Sequence, residues 1–216
     1  MRSLSITAIL SSALLLSGCA VIPSQEKEPI VAGGNSQFTK DGIEAMKASR
    51  KVSFDFTSLP VKMAALGLGD RSDGAMVATD TDKRMKVAMA TPNGVVEMET
   101  DTIRVRGGGV HDNVDSIDIF VNYPDAQDAN QEIKRAADEL GFVVLQDAEP
   151  IDPEFKDGTG KETWNPGYGN ATGTVFALSI MSNHTTGRMT FIYTACLSEE
   201  YYSPEARARI ADTGKF

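Results

Sequence analysis

Apolar and polar positions alternate along much of this chain, and each alternating run predicts a strand. Lys51 to Phe56 places Val52, Phe54 and Phe56 on one face, as a half-buried strand does. Further strands are predicted at Met76–Thr79, Met85–Ala90, Val95–Thr100 and Thr102–Arg106, with the turn Pro92-Asn93-Gly94 joining two of them as a hairpin. Together these suggest an antiparallel meander. Ser116 to Asn122 reads as another strand, with Ile117, Ile119 and Val121 on one face and Phe120 on the other. The period then changes from two to 3.6. Ala126, Ala129, Ile133, Ala136, Ala137 and Leu140 form one apolar helical stripe, opened by Pro124 and ended by Gly141. Phe142 to Leu145 follows as a returning strand, which makes the unit β-α-β. Thr174–Ser182 and Gly187–Cys196 predict a final hairpin, and Ser203 and Pro204 start a short terminal helix. Thr39 to Ser49 predicts a short first helix. Residues 60–74 read as a loop or a broken helix, and 146–173 as a polar stretch holding Trp164 and Tyr168. The expected fold class is α+β: a mainly antiparallel sheet, one long amphipathic helix in a β-α-β unit, and short helices at either end.

The first nineteen residues obey neither period. Arg2 precedes an apolar run from Ile6 to Leu16, too short for a bilayer core of about 30 Å at about 1.5 Å per residue. Its length suits the h-region of an export signal. The run ends in Leu16-Ser17-Gly18-Cys19, which resembles the lipobox of bacterial lipoproteins. The resemblance implies that residues 1–18 are a signal peptide and that Cys19 carries lipid, palmitate-type acyl chains included. It also implies an anchored chain on the extracytoplasmic face of a cell membrane. Several acyl chains hold firmly because each buried CH₂ contributes about 0.8 kcal/mol. Ala20 to Gln37, with Pro23, Pro29, Gly33 and Gly34, then reads as a flexible tether completing the segment 19–37. Residues 38–216 are expected to form a single α+β domain. The layout of lipobox, polar tether, strand–helix–strand and last hairpin is similar to that of small lipoproteins of actinobacteria. Those proteins pair a late cysteine with another in the domain, and this chain has no second cysteine for it.

Composition narrows the partners. Thirty acidic against 21 basic residues give a formal charge of −9, a balance that opposes phosphate backbones, so no nucleic-acid partner is expected. With Cys19 lipidated, Cys196 stands alone and reads as a small buried hydrophobe, for no cation lies beside it in sequence to favour a thiolate. The motifs of serine hydrolases, zinc proteases, P-loop proteins and dithiol redox centres are all absent from the sequence. Only two histidines, His111 and His184, exist, which excludes a histidine-rich metal site. Arg106-Gly107-Gly108-Gly109 reads as a flexible loop. Asp112, Asp115 and Asp118 recur every three residues and offer oxygens of the kind calcium takes. They read more simply as solvated surface, as does the run Asp147, Glu149, Asp152, Glu154 and Asp157.

No catalytic residue, metal ligand or cofactor is therefore expected, and the chain is not expected to be an enzyme. The expected role is a non-catalytic binding or structural module of the envelope with a protein partner. The alternative is a carrier of an apolar or small-molecule ligand in a cavity under the sheet. An apolar cavity would favour the carrier; a filled core with an exposed aromatic patch, around Trp164 and Tyr168, would favour the module.

Overall fold

The computed structural model describes residues 34–69, 74–107, 112–151, 161–183 and 185–216. The expected α+β class holds: among the described residues three α-helices accompany nine strands in two sheets. In chain order the elements are α1 (Lys40–Ser49), β1 (Lys51–Asp55), β2 (Ala75–Ala78), β3 (Met85–Thr91), β4 (Gly94–Thr100), β5 (Thr102–Gly107), β6 (Val114–Tyr123), α2 (Ala126–Leu140), β7 (Lys161–Gly169), β8 (Val175–Asn183), β9 (Arg188–Cys196) and α3 (Pro204–Thr213). Each helix begins at a residue that satisfies its free N–H groups. Thr39, Asp125 and Ser203 accept from Gly42 N, Asp128 N and Ala206 N respectively. Gly141 closes α2 in the left-handed conformation, at φ 74°.

The strands divide between a six-stranded sheet in the order β2-β5-β6-β9-β8-β7 and a three-stranded sheet in the order β1-β3-β4. The large sheet is antiparallel throughout, but β1 runs parallel to β3. The expected meander is therefore corrected. The chain passes straight from β4 in one sheet to β5 in the other through Asp101, which is buried. The alternation seen in sequence fixes which face of each strand is apolar; it carries no information about which strand lies beside it.

Two further expectations are corrected. Phe142 to Leu145 is not a returning strand: Val143–Leu145 is one turn of 3₁₀ helix. Both flanks of β6 are already taken, by β5 and β9, so no parallel place remains beside it. The segment buries Phe142 and Leu145 instead and leaves Val144 exposed. Conversely, β7 occupies the stretch read as polar connection. Pro166 is accommodated because β7 is an edge strand whose register shifts between Trp164 and Gly167.

One continuous core joins the layers. Ala129, Ile133, Ala136 and Leu140 of α2 pack with Ile103, Ile117, Ile119, Phe191 and Tyr193 of the large sheet, and the cluster runs on into Phe38, Phe54, Phe56, Val87 and Met89. On the opposite face of the large sheet, α3 covers one end, where Val175, Cys196 and Ile210 are buried beside Tyr168, Tyr201 and Tyr202.

Candidate functional site

The most distinctive feature of the architecture is a wedge where the two sheets part. Beyond Asp101, β4 and β6 diverge, and polar groups fill the fork. The Asp101 carboxylate accepts from Asn122 N at 2.7 Å, Asn122 Nδ2 at 3.0 Å and Arg84 Nε at 3.3 Å. Arg84 also donates to the Asn122 carbonyl and lies over the Tyr123 ring. The wedge opens above this plug as a cleft of about 260 Å³ between Glu97, Met98 and Glu99 on one side and Val121, Tyr123, Glu132 and Arg135 on the other. A second hollow of about 320 Å³ carries it on past Val95 and Val96 to Glu139 and Leu140 of α2 and to Ala171 and Thr172.

The floor is a closed ionic network. Glu132 lies within the apolar stripe of α2 and is only 8% exposed. Arg135 grips its carboxylate with two nitrogens, Nε at 2.9 Å, and the Tyr193 hydroxyl donates to Oε1. A second arm of Arg135 reaches Glu139 at 3.0 Å. Burial, and then the Glu132 charge, push the hydroxyls of Tyr123 and Tyr193 well above the ordinary phenol value. For Arg135, burial pulls the other way, and the Glu132 hydrogen bonds and charge more than reverse it, so the guanidinium stays charged. Glu132 is thus a satisfied anchor that ties α2 to β9. Its oxygens are spent on Arg135 and Tyr193.

The wall on the other side is different: it is the bare edge of β4. In β3, Lys86 N donates to Arg50 O, and Ala90 O accepts from Phe56 N. Those residues therefore turn their backbone groups toward β1, and the alternate residues Met85, Val87, Met89 and Thr91 turn theirs toward β4. Their partners across the ladder are Thr100, Met98, Val96 and Gly94. Val95, Glu97 and Glu99 consequently point N–H and C=O away from the sheet, along the wedge. None of these six groups has a hydrogen-bond partner among the described residues. Both ends of the edge are pinned. Asn93 N donates to Thr172 O at 3.0 Å, and Asp101 N to Phe120 O at 2.9 Å.

The other sheet edges are covered or short. Along β1, Ser36 N donates to Ser53 O, Ser53 N to Ser36 Oγ and Asp55 N to Asn35 Oδ1, all at 2.9 Å. Along β7, Tyr168 N donates to Gly214 O at 2.9 Å, where the end of α3 lies against the strand. β2 has only four residues.

The residues singled out from sequence do not converge here. Asp118 is fully buried beneath Arg104 and Arg106, with nitrogen–oxygen distances of 2.6 and 2.8 Å, and also accepts from Thr194 Oγ1. Its reading as solvated surface is corrected, and its oxygens are taken by cations of the protein. Asp112 pairs with Lys62 at 2.8 Å, and Asp115 accepts weakly from Ser198. No group of acids, histidines or cysteines among the described residues is arranged to hold a metal. Cys196 is buried as expected, and burial pushes its thiol up to about 12. Trp164 is half-exposed on β7, while Tyr168 packs against Tyr201 and Phe216. Cys19, the tether up to Gly33, His111, His184, Gly108, Gly109, Asp152, Glu154 and Asp157 lie outside the described residues. Among the described residues no helix is long and apolar enough to cross a membrane.

The wedge was not foreseen from the sequence. The one available signal was Glu132, an acid at helical spacing between Ala129 and Ala136 in the apolar stripe. Comparison with known protein families, curated proteins and solved structures finds no match to this chain.

Proposed function

We propose that the chain is a lipoprotein held on the extracytoplasmic face of a cell membrane through Cys19. Its folded part is a non-catalytic module that receives an extended segment of an envelope protein along β4. The anchor rests on Leu16-Ser17-Gly18-Cys19. The binding role rests on one observation: β4 is a seven-residue strand with its ends pinned and its outward backbone groups unpartnered beside a cleft. An edge of this kind is a template for strand addition, in which backbone hydrogen bonds supply affinity and side-chain pockets supply choice.

Charge selects the occupant. Side chains of Glu97 and Glu99 stand exposed on one face of the edge, and Val96 and Met98 are buried on the other. A second copy of the chain added antiparallel at β4 brings these glutamates against one another, and like charges across a ladder repel. A segment with Lys or Arg at alternate positions and apolar residues between them meets both faces. The carrier reading has less in its favour: Phe191, Tyr193 and Leu178 fill the space under the large sheet, and charged residues line the wedge.

Two measurements test this. A Cys19→Ala chain is expected to lose membrane partitioning; retention on membranes refutes the anchor. A synthetic peptide alternating Lys and Val is expected to bind the native chain and to fail with Glu97→Pro, which deletes one outward N–H. Equal binding to both chains refutes strand addition at β4. A native chain that dimerises through β4 instead would make a second copy the occupant and overturn the charge argument.

A further inference from the structure

Where α1 meets β1, below the fork, cations gather around two adjoining clefts that share Arg50. One, of about 530 Å³, is lined also by Lys51, Arg84 and Lys86, with Asp82 and Glu99. The other, of about 520 Å³, is lined by Lys47 and Lys83, with Asp80. A chain of net charge −9 thus places six cations against three carboxylates in one spot. Net charge governs the distant field, whereas a cleft with low-dielectric walls focuses its own. Arg84 is held by Asp101, and Lys83 lies 3.5 Å from Asp80. Lys47, Arg50, Lys51 and Lys86 have no ion-pair partner among the described residues.

Two local arrangements here work against the fold. Lys51 and Lys86 are direct neighbours in the β1–β3 ladder, where like charges repel. Glu99, the neighbour of Lys86 on its other side, relieves this in part. Arg50 is the single non-glycine at positive φ among the described residues, at 53°, a position that glycine takes without strain. The partial negative charge at the C-terminus of α1 accounts for Lys47 and Arg50. It leaves the Lys51–Lys86 pair unexplained. Local rules broken together beside a cavity are a mark of function.

We propose that this paired cleft binds a phosphate-bearing ligand whose oxygens are met by Arg50, Lys51 and Lys86. A guanidinium offers a planar fork to two oxygens, and the ammonium groups add charge. An anion between Lys51 and Lys86 converts their repulsion into shared attraction. The site borders the β4 edge through Glu99 and Arg84, but its anion-binding groups Arg50, Lys51 and Lys86 lie outside β4, so either proposal stands without the other.

The test is isothermal titration of the full chain in detergent at fixed ionic strength, with chloride as the control anion. The probes are inorganic pyrophosphate, glycerol 3-phosphate, and short-chain phosphatidylglycerol below its micelle concentration. Saturable binding of at least one probe is expected. Preference for the first two assigns a soluble phosphate, and preference for the third assigns a lipid headgroup. Lys51→Thr and Lys86→Thr should each weaken the preferred probe roughly tenfold, the cost of one charge-assisted contact. Arg50→Gly should weaken it likewise while raising the melting temperature, since it removes the strain. No saturable binding by any probe, or variants that bind like the native chain, would overturn the proposal. So would an Arg50→Gly chain that melts lower, for then Arg50 is kept by the fold.

Discussion

Strands β7 and β4 both lie at the margin of a sheet, yet they meet their surroundings in opposite ways. β7 is closed by several devices at once. It carries Pro166, its register shifts, and the end of α3 comes close enough for Tyr168 N to donate to Gly214 O. The approach is so close that a Cβ on Gly167 would lie 2.2 Å from Gly214 O, and the end of α2 comes as near on Gly169, where a Cβ would lie 2.4 Å from Leu140 O. β4 has none of this. Its hairpin tip and its exit into β5 are fixed, and between them three residues present paired N–H and C=O groups to a cleft. Only Glu97 and Glu99 guard it. A chain able to close one edge so thoroughly has left the other open, protected by charge alone, which is the arrangement a partner strand of opposite charge can use.

The contrast predicts a graded set of effects. The largest belong to the closed edge. Gly167→Ala forces a Cβ against Gly214 O at φ 106°, and denaturant unfolding should show a loss of about 3 kcal/mol or more. A loss below about 1 kcal/mol would mean that α3 yields easily and that the closure is loose.

Next comes the floor of the wedge. Glu132→Ala leaves a largely buried Arg135 with Glu139 alone as its ion-pair partner among the described residues and frees the Tyr193 hydroxyl, so a loss of about 2–3 kcal/mol is expected in the same measurement. Glu132→Gln, which keeps an acceptor for Tyr193, should cost less. If the two variants are equally destabilised, the charge and not the hydrogen bonding holds α2 to β9.

A smaller effect follows from pH. Burial raises Tyr202 from 10.0 to about 12, and Cys196 from 9.0 to about 12. Both groups are neutral when folded and ionise more readily when unfolded. Their contribution is therefore complete below about pH 9 and lost as pH climbs toward 12. Stability measured against pH should fall over that window. Cys196→Ala should shallow the start of the fall by removing the group that ionises first on unfolding, while the buried hydroxyls of Tyr123, Tyr193, Tyr201 and Tyr202 still drive the rest. An unchanged slope near about pH 9 to 10 would remove the thiol from the explanation. The same burial predicts that Cys196 resists alkylation at pH 8 in the native chain.

The smallest effect on stability is expected at the open edge. Glu97→Pro deletes an N–H that bonds to nothing in the fold, so stability should stay within about 0.5 kcal/mol of the native chain, as for other surface changes. Binding of the alternating Lys–Val peptide should nevertheless be lost. A large loss of stability would show that the edge is already partnered.

Much of this molecule was legible in its sequence, for reasons that also set the limit. Period-two runs gave most strands within a residue or two, because burial of one sheet face forces alternation. Ser203, Pro204 and Gly141 marked helix ends, because free N–H groups and left-handed closures restrict residue type, whereas Pro124, read as the opening residue of α2, lies one place before its cap Asp125. β7 was hidden by Pro166 and its glycines, tolerated only because the strand lies at an edge. The parallel β1–β3 pair, the false returning strand after α2 and the open edge of β4 share one cause. Each depends on which strand lies beside which, and alternation is silent on that. The candidate site was therefore almost wholly invisible, since an edge is a property of topology. Lys51 and Lys86, unremarkable 35 positions apart in sequence, become a like-charged pair only when β1 lies beside β3.

Hydrogen exchange at the amides of β4 tests the openness of this edge most directly. In the free chain, Val95, Glu97 and Glu99 should exchange far faster than Val96 and Met98, which bond to β3, and faster than Tyr168, which bonds to Gly214. Adding the alternating Lys–Val peptide should slow those three amides and leave Tyr168 unchanged. Equal protection of odd and even residues in the free chain would contradict the open edge. Protection that fails to rise on peptide binding would contradict strand addition there.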